Sequence, residues 1–295
     1  MNVLKLGIDN GNYNTKSSER MLYASGFTMG EKEFITDDMQ LFYAGKYYAI
    51  GGKRMSFQQD KTKEDDAFIL SLPAIADAMK QANISFAEMY LGVGLPIDTY
   101  GTQKEFFRSY FLRGSVSFEF EGASYCCHIM DCKVFAQGHA ALCKYYQQLK
   151  EYNNITLVDI GGYTVDVLTL HDFKADRGSC ASMRMGTIML FNAIREELQQ
   201  ENIILSDMLV TDVMQGRLQH VDKDRIEVIV ERRMRHYLRE LLNALCERGL
   251  DLKLPVAFAG GGAELFGKRL YSGEANTIAI LDRFANSEGY KLLLG

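Results

Sequence analysis

Apolar and β-branched positions cluster first in Val3-Leu4-Lys5-Leu6-Gly7-Ile8, a run that stops at Asp9-Asn10-Gly11. A second run, Ile155 to Val158, stops at Asp159-Ile160-Gly161. Each continues past its turn into further strand-like sequence: Thr15 to Ser18 and Leu22 to Phe27 after the first, Thr164 to Leu170 after the second. Partial alternation and β-branching predict a strand-turn-strand hairpin in both places. The two aspartates are 150 positions apart in a chain of 295 residues. That spacing is too long for a solenoid and suits two related α/β domains built on one plan.

Between the hairpins, Gln40 to Ile50 reads as a further hairpin turning at Ala44-Gly45-Lys46, followed by a polar segment through Asp66, and together these suggest an inserted lobe. The pattern then predicts a helix from about Asp66 to Gln81, a strand Met89 to Leu95 stopped by Pro96, and a helix from about Thr99 to Leu112. Strands Val116 to Phe120 and Tyr125 to Phe135 precede a helix beginning near Gln137. In the second half a helix is expected over Gly186 to Gln200 and a long one over Asp224 to Arg248. In the long helix Ile226, Val230, Met234, Tyr237, Leu241 and Leu245 recur at helical spacing, with Asp224 and Glu227 as a capping pair and Gly249 as the stop. Its arginines (Arg232, Arg233, Arg235, Arg239) alternate with Glu231, Glu240 and Glu247, the pattern of a solvated face rather than a nucleic-acid patch. A strand from Pro255 to Ala259 runs into Gly260-Gly261-Gly262-Ala263-Glu264 and a short helix.

Composition narrows the function classes. At roughly 150 residues per domain the length suits two domains, and 47% hydrophobic with 24% charged residues and only 3 Pro predicts a chain that folds throughout. Lys plus Arg number 33 against 38 Asp plus Glu, a net charge of −5 that argues against direct, strong DNA binding. The N-terminal run has no basic lead and no small-residue cleavage site, and no apolar stretch approaches the ~18 residues of a membrane span. A cytoplasmic protein without membrane contact is therefore expected. Six cysteines without a CxxC pair read as free, mostly buried thiols, and the spacing of Cys126, Cys127, His128 and Cys132 disfavours a zinc site.

The hairpins carry the chemistry. Backbone N–H groups in a tight glycine-containing turn form an anion-binding concavity, and two such turns could grip one polyphosphate from opposite sides. No GxxxxGK[ST] occurs and the turns lead into strands, so this is not a P-loop. A carboxylate ~5 Å from a phosphate charge costs about 3 kcal/mol at an effective dielectric near 20. Asp9 and Asp159 thus imply a cation, for which Mg²⁺, held through carboxylates, water and nucleotide oxygens, is the natural choice. Lys16 would add positive charge for the phosphates. The third glycine cluster, Gly260 to Gly262, follows a strand and opens a helix, where backbone can approach a nucleotide closely.

Those residues resemble the actin, sugar-kinase and DnaK-type chaperone superfamily, and most of all bacterial actins of the ParM/StbA plasmid-segregation family. The first phosphate motif is Leu6-Gly7-Ile8-Asp9-Asn10-Gly11-Asn12-Tyr13-Asn14-Thr15-Lys16 and the second is Val158-Asp159-Ile160-Gly161-Gly162-Tyr163-Thr164-Val165-Asp166. The adenosine motif is Ala259-Gly260-Gly261-Gly262-Ala263-Glu264. Gly92-Val93-Gly94-Leu95-Pro96 and the closing segment Phe284 to Tyr290 match further family segments.

The resemblance implies an α/β, actin-like ATPase fold with two RNase H-like domains flanking a nucleotide cleft. Domain I would span 1–150 plus 284–295 with a small inserted lobe at about 28–85, and domain II 151–283. It implies ATP or ADP with Mg²⁺ as ligands, GTP remaining open, with Asp9 and Asp159 holding the metal through water. Asn10, Gly11, Asn12, Tyr13, Asn14 and Lys16, with Gly161, Gly162, Tyr163 and Thr164, would meet the phosphates. Gly260, Gly261, Gly262 and Glu264 would meet the adenosine, and Gly186, in the family's second connection, would line the pocket. Gln137 falls where the family places the Glu or Gln that orients the attacking water, and would act in catalysis with Asp9 and Asp159. Ala136 stands where the family often has Pro, which bears on loop rigidity. The implied function is a filament-forming ATPase that segregates plasmid DNA by nucleotide-dependent polymerisation. Its partners would be other copies of itself and a DNA-binding adaptor of the ParR type on centromere-like DNA. The alternatives are a sugar-type kinase on the same fold, with Asp166 as the base, and a nucleotide-switch scaffold that does not polymerise. A DnaK-type chaperone is disfavoured because no peptide-binding domain follows Gly295.

Overall fold

The computed structural model describes residues 2–35, 39–52, 54–55, 58, 60–172, 174–176 and 178–295. Parts of the segment read as an inserted lobe, at 36–38, 53, 56–57 and 59, lie outside the described residues. The chain divides into two compact units, Met1–Leu149 with Phe284–Gly295, and Lys150–Arg283.

Unit 1 runs β1 (Val3–Asn10), β2 (Asn14–Ser17), β3 (Leu22–Ala24), β4 (Phe27–Gly30), β5 (Met39–Tyr43), β6 (Lys46–Ile50), α1 (Asp66–Ile69), α2 (Leu72–Gln81), β7 (Phe86–Leu95), α3 (Ile97–Phe111), β8 (Gly114–Phe120), β9 (Ala123–Ala136), α4 (His139–Lys144) and α5 (Tyr146–Leu149). Among the described residues its nine strands form one sheet in the order β3-β2-β1-β7-β9-β8-β5-β6-β4. At its centre β1, β7 and β9 are parallel, so their carboxyl ends share one edge. Ala44 and Gly45, both at positive φ (51° and 78°), make the two-residue turn of β5-β6, and this hairpin continues the same sheet.

Leu6, Ile8, Met89, Leu91 and Val93 are buried in one hydrophobic cluster with Ile75 of α2 and Phe107 and Phe111 of α3. The C-terminal segment packs back onto unit 1, where close approach needs glycine. A Cβ on Gly7 would lie 1.9 Å from the Ser287 carbonyl oxygen, and one on Gly94 1.8 Å from the Tyr290 hydroxyl.

Unit 2 runs β10 (Asn154–Ile160), β11 (Val165–His171), β12 (Lys174–Ala175), β13 (Ala181–Met183), α6 (Thr187–Gln200), α7 (Asp207–Met214), α8 (Lys223–Glu247), β14 (Val256–Ala259), α9 (Gly260–Phe266), a 3₁₀ turn at Gly267–Tyr271 and β15 (Thr277–Ile280); α10 (Ala285–Leu293) closes the chain in unit 1. Its sheet has the order β12-β11-β10-β14-β15, with β13 beside β11. All six periodic apolar positions of α8 are buried. No helix among the described residues is long and apolar enough to cross a membrane.

Several local expectations are corrected. The helix expected over 66–81 is two helices, because Pro73 has no N–H to give the Ile69 carbonyl; the Ser71 hydroxyl instead bonds Ala67 O at 2.7 Å across the break. The run Leu22 to Phe27 breaks at Ser25-Gly26, β3 pairing with β2 and β4 with β6. The capping residue of α8 is Asp222, without a side-chain cap bond, and Asp224 lies inside the first turn. Gly249 does stop α8, at φ 84°, with Leu250 N bonded to Leu245 O. Of the six free cysteines only Cys127 and Cys132 are buried, and Cys246 is exposed on α8.

Candidate functional site

The two Asp-x-Gly hairpins have the same construction. In β1-β2 the last pair is Asn10 with Thr15, one step beyond Asp9 with Lys16; in β10-β11 it is Ile160 with Val165, one step beyond Asp159 with Asp166. Four residues cross each turn, Gly11 to Asn14 and Gly161 to Thr164, and each begins with glycine. A Cβ on Gly11 would meet the Asn14 carbonyl oxygen at 2.6 Å, and one on Gly161 the Thr164 carbonyl oxygen at 3.0 Å. The glycine therefore lets the loop fold tightly over its own backbone.

In unit 1, Asp9 is 3% exposed at the carboxyl end of β1. Its Oδ2 accepts from Lys16 Nζ at 3.0 Å and its Oδ1 from Gln137 Nε2 at 3.0 Å. Lys16, expected to face phosphates, is thus engaged with the carboxylate. Gln137, where a helix is expected to begin, sits instead between β9 and α4, just ahead of the helix start at His139, and its backbone N–H bonds Leu95 O at 2.9 Å. A carboxylate oxygen only accepts, so the amide nitrogen of Gln137 must face Asp9, leaving its Oε1 to accept from a water. Gly138, at φ 77°, donates to Asn286 Oδ1 of the closing segment at 2.8 Å. The Asn10 side chain turns inward, donating to Ala67 O at 3.1 Å and Ser71 Oγ at 2.9 Å. Asn12 Oδ1 accepts from Gln58 N at 3.2 Å, and the Arg54 guanidinium lies 4.0 Å from the centre of the Tyr13 ring.

In unit 2 the hairpin rests on the start of α6. Thr187 N donates to Gly161 O at 3.0 Å, Ile188 N to Gly162 O at 2.9 Å and Gly186 N to Tyr163 O at 3.1 Å. In a trans peptide the carbonyl and the following N–H point oppositely, and no peptide is cis among the described residues. The amides of Gly162, Tyr163 and Thr164 are therefore turned away from α6, three consecutive donors suited to an anion. Gly186 must be glycine for this contact, since a Cβ there would lie 2.3 Å from the Gly162 oxygen.

Asp159 stands directly across the ladder from Asp166, whose Oδ2 accepts from Thr164 Oγ1 at 3.1 Å. Carboxylates directly opposite destabilise a sheet pair by themselves, and this hard-oxygen donor set fits Mg²⁺. Gly260, at φ 85°, packs against the same carboxylate, its missing Cβ falling 2.3 Å from Asp159 Oδ1. A Cβ on Gly262 would meet Ile160 Cγ2 at 2.3 Å, whereas one on Gly261 would face open space. The third glycine cluster is thus built onto the second hairpin. Glu264 is bonded to the Arg283 backbone N–H at 2.8 Å and to its guanidinium. Sequence reasoning missed Arg283, and also Lys61, Arg54 and Ser25, which bond the first hairpin, the first two from positions outside any helix or strand and Ser25 from the break between β3 and β4.

Comparison with known proteins follows the two units. Residues 7–139 match the family described as actin like proteins N terminal domain, and residues 157–272 match archaeal actin homologue MreB-like, C-terminal. Among solved structures, the archaeal actin homolog Ta0583 is similar with a TM-score of 0.77 at 18% identity, covering 99% of each chain. Bacillus thuringiensis ParM with ATP gives 0.75 at 14% identity over 99% of this chain and 98% of that one. A 15-stranded ParM filament from Clostridium botulinum gives 0.72 at 16% identity over 99% of each. No curated protein matches the chain. The chain thus has an α/β, actin-like fold over almost its whole length, and both glycine-led hairpins lie inside the regions that the two actin-family models match.

Proposed function

We propose that the chain binds ATP with Mg²⁺ and assembles into nucleotide-dependent filaments of the ParM kind. The observation that carries this reading is the repeated hairpin: an aspartate one pair before a four-residue, glycine-led turn, twice, with the glycine cluster built against the second aspartate. Asp9 and Asp159 would hold the metal, through water. The loops Asn10 to Asn14 and Gly161 to Thr164 would bind the phosphates, and Gly260 to Gly262 with Glu264 would border the adenosine. Bound Mg²⁺ would neutralise charge that the carboxylates and phosphates could not otherwise tolerate together.

Gln137 is suited to orienting water rather than to abstracting a proton, because an amide is no base. Its Nε2 is committed to Asp9, which holds the side chain in one orientation. Slow, switch-like hydrolysis follows from such a group. Loss of the γ-phosphate would then weaken subunit contacts. The relatives support assembly, one ParM having been solved with ATP and another as a filament.

The finer reading is plasmid DNA segregation in a prokaryotic cytoplasm. The net charge of −5 favours a link to centromere-like DNA through a DNA-binding adaptor of the ParR type over direct contact. High-speed sedimentation with ATP, ADP and no nucleotide, with negative-stain microscopy and phosphate release in parallel, tests the proposal. Polymer in the ATP tube is expected. ATP turnover without polymer would leave a nucleotide switch and overturn the filament.

A further inference from the structure

Among the described residues no helix start donates its backbone N–H groups to the first hairpin as α6 does to the second, yet the carbonyls of the first are also held. Lys61, only 7% exposed, donates from Nζ to Asn10 O. Ser25 Oγ donates to Gly11 O at 2.5 Å, and Tyr13 O accepts from Ser25 N at 3.1 Å and from Arg54 Nε at 3.4 Å. Lys61 and Ser25 line one small cavity of about 20 Å³ beneath the loop, together with Asn10, Gly11 and Asn12. A carbonyl drawn toward that cavity turns the next amide away from it, because the peptide is planar and trans. Gly11 N–H and Asn12 N–H are therefore both directed away from the cavity, and for Asn12 this is the arrangement that α6 imposes on its counterpart Gly162 through backbone donors alone.

We infer that Lys61 and Ser25 are positioning residues for phosphate binding, fixing the Asn10 and Gly11 carbonyls inward so that the Gly11 and Asn12 amides present themselves to the phosphates of a nucleoside di- or triphosphate. This rests on the nucleotide-binding reading above. A carbonyl released from either donor could swing outward and place a partial negative charge against the phosphate, so loss of the anchor removes a donor and adds a repulsion. Neither residue needs to touch the nucleotide. The ammonium acts through the Asn10 peptide, and the hydroxyl, which carries no charge, acts through the Gly11 peptide.

The test is binding of ATP, ADP and adenosine, each with Mg²⁺, to wild type, Lys61→Met, Lys61→Arg and Ser25→Ala, with thermal melting of each variant. Lys61→Met and Ser25→Ala are expected to weaken ATP and ADP roughly tenfold, about 1.4 kcal/mol, while adenosine changes less than twofold. Lys61→Arg should recover most of the loss. Equal weakening of ATP and adenosine would show a merely structural role and overturn the inference. So would Ser25→Ala binding ATP like wild type while Lys61→Met does not, since the ammonium would then act by charge alone. If Lys61→Met does not melt cooperatively, Ser25→Ala decides by itself. Wild type that binds neither ATP nor ADP would instead remove the nucleotide reading and this inference with it.

Discussion

Gln137 donates from Nε2 to Asp9 Oδ1 at 3.0 Å across 128 positions of sequence. The contact exists because β1, β7 and β9 run parallel and end together: Asp9 lies at the end of β1, and the Gln137 backbone is tied to Leu95 at the end of β7. Sites at the carboxyl ends of parallel strands are the rule in open α/β sheets. Here the arrangement joins a carboxylate suited to a hydrated cation to an amide suited to a water.

Gln137→Ala is expected to slow phosphate release from ATP by roughly 10- to 100-fold, one to two steps of 1.36 kcal/mol in the barrier, with ATP affinity within a few-fold of wild type. Polymer formed in ATP should then outlast that of wild type. Single-turnover phosphate release and light scattering measure both, and unchanged turnover would take the water-orienting role away from Gln137.

Asp159→Ala should abolish Mg-dependent ATPase activity while leaving the fold intact, and unchanged turnover would remove Asp159 from the site. Gly260→Ala approaches the same carboxylate from the other side. A methyl 2.3 Å from Asp159 Oδ1, on backbone at φ 85°, should destabilise the protein by about 1–3 kcal/mol and weaken Mg-nucleotide binding as well. Chemical denaturation and a Mg²⁺ titration separate the two effects, and a Gly260→Ala protein of wild-type stability would contradict the packing described.

His139 opens α4, and burial holds its imidazole below the ordinary value of 6.5. The unfolded chain therefore binds a proton at higher pH than the native one, so this group contributes stability above about 6.5 that is lost as pH falls from there through the folded value. His139→Gln should narrow the gap between melting temperatures measured at pH 7.5 and pH 5.5. An unchanged gap would assign the acid sensitivity to other groups.

The hairpins were legible because their signal is local: an apolar run, Asp-x-Gly and a second β-rich run fit within some fifteen residues, and glycine is required by the fold of the loop over its own backbone. The burial of α8 was legible for the same kind of reason, its period of 3.6 being written along a single segment. Pro73 shows where locality misleads, since the apolar pattern continues through 66–81 while one missing N–H divides the helix. Cysteine burial failed more simply: type alone put most of the six thiols inside, whereas β9, whose alternation is shifted by one residue at Met130, buries only Cys127 and Cys132, and Cys246 is exposed on α8.

Residue identity along the chain determined where the two glycine-led hairpins form, which aspartate precedes each turn and which helix has a buried face, because each depends on neighbours a few positions apart. Tertiary structure alone decided that Asp9 meets Lys16 and Gln137, that Asp159 lies opposite Asp166 and against Gly260, and that Lys61 reaches the Asn10 carbonyl. Those pairings join segments separated by up to 128 positions, and they are set by strand order, register and close backbone approach, none of which a linear pattern of side chains encodes by itself.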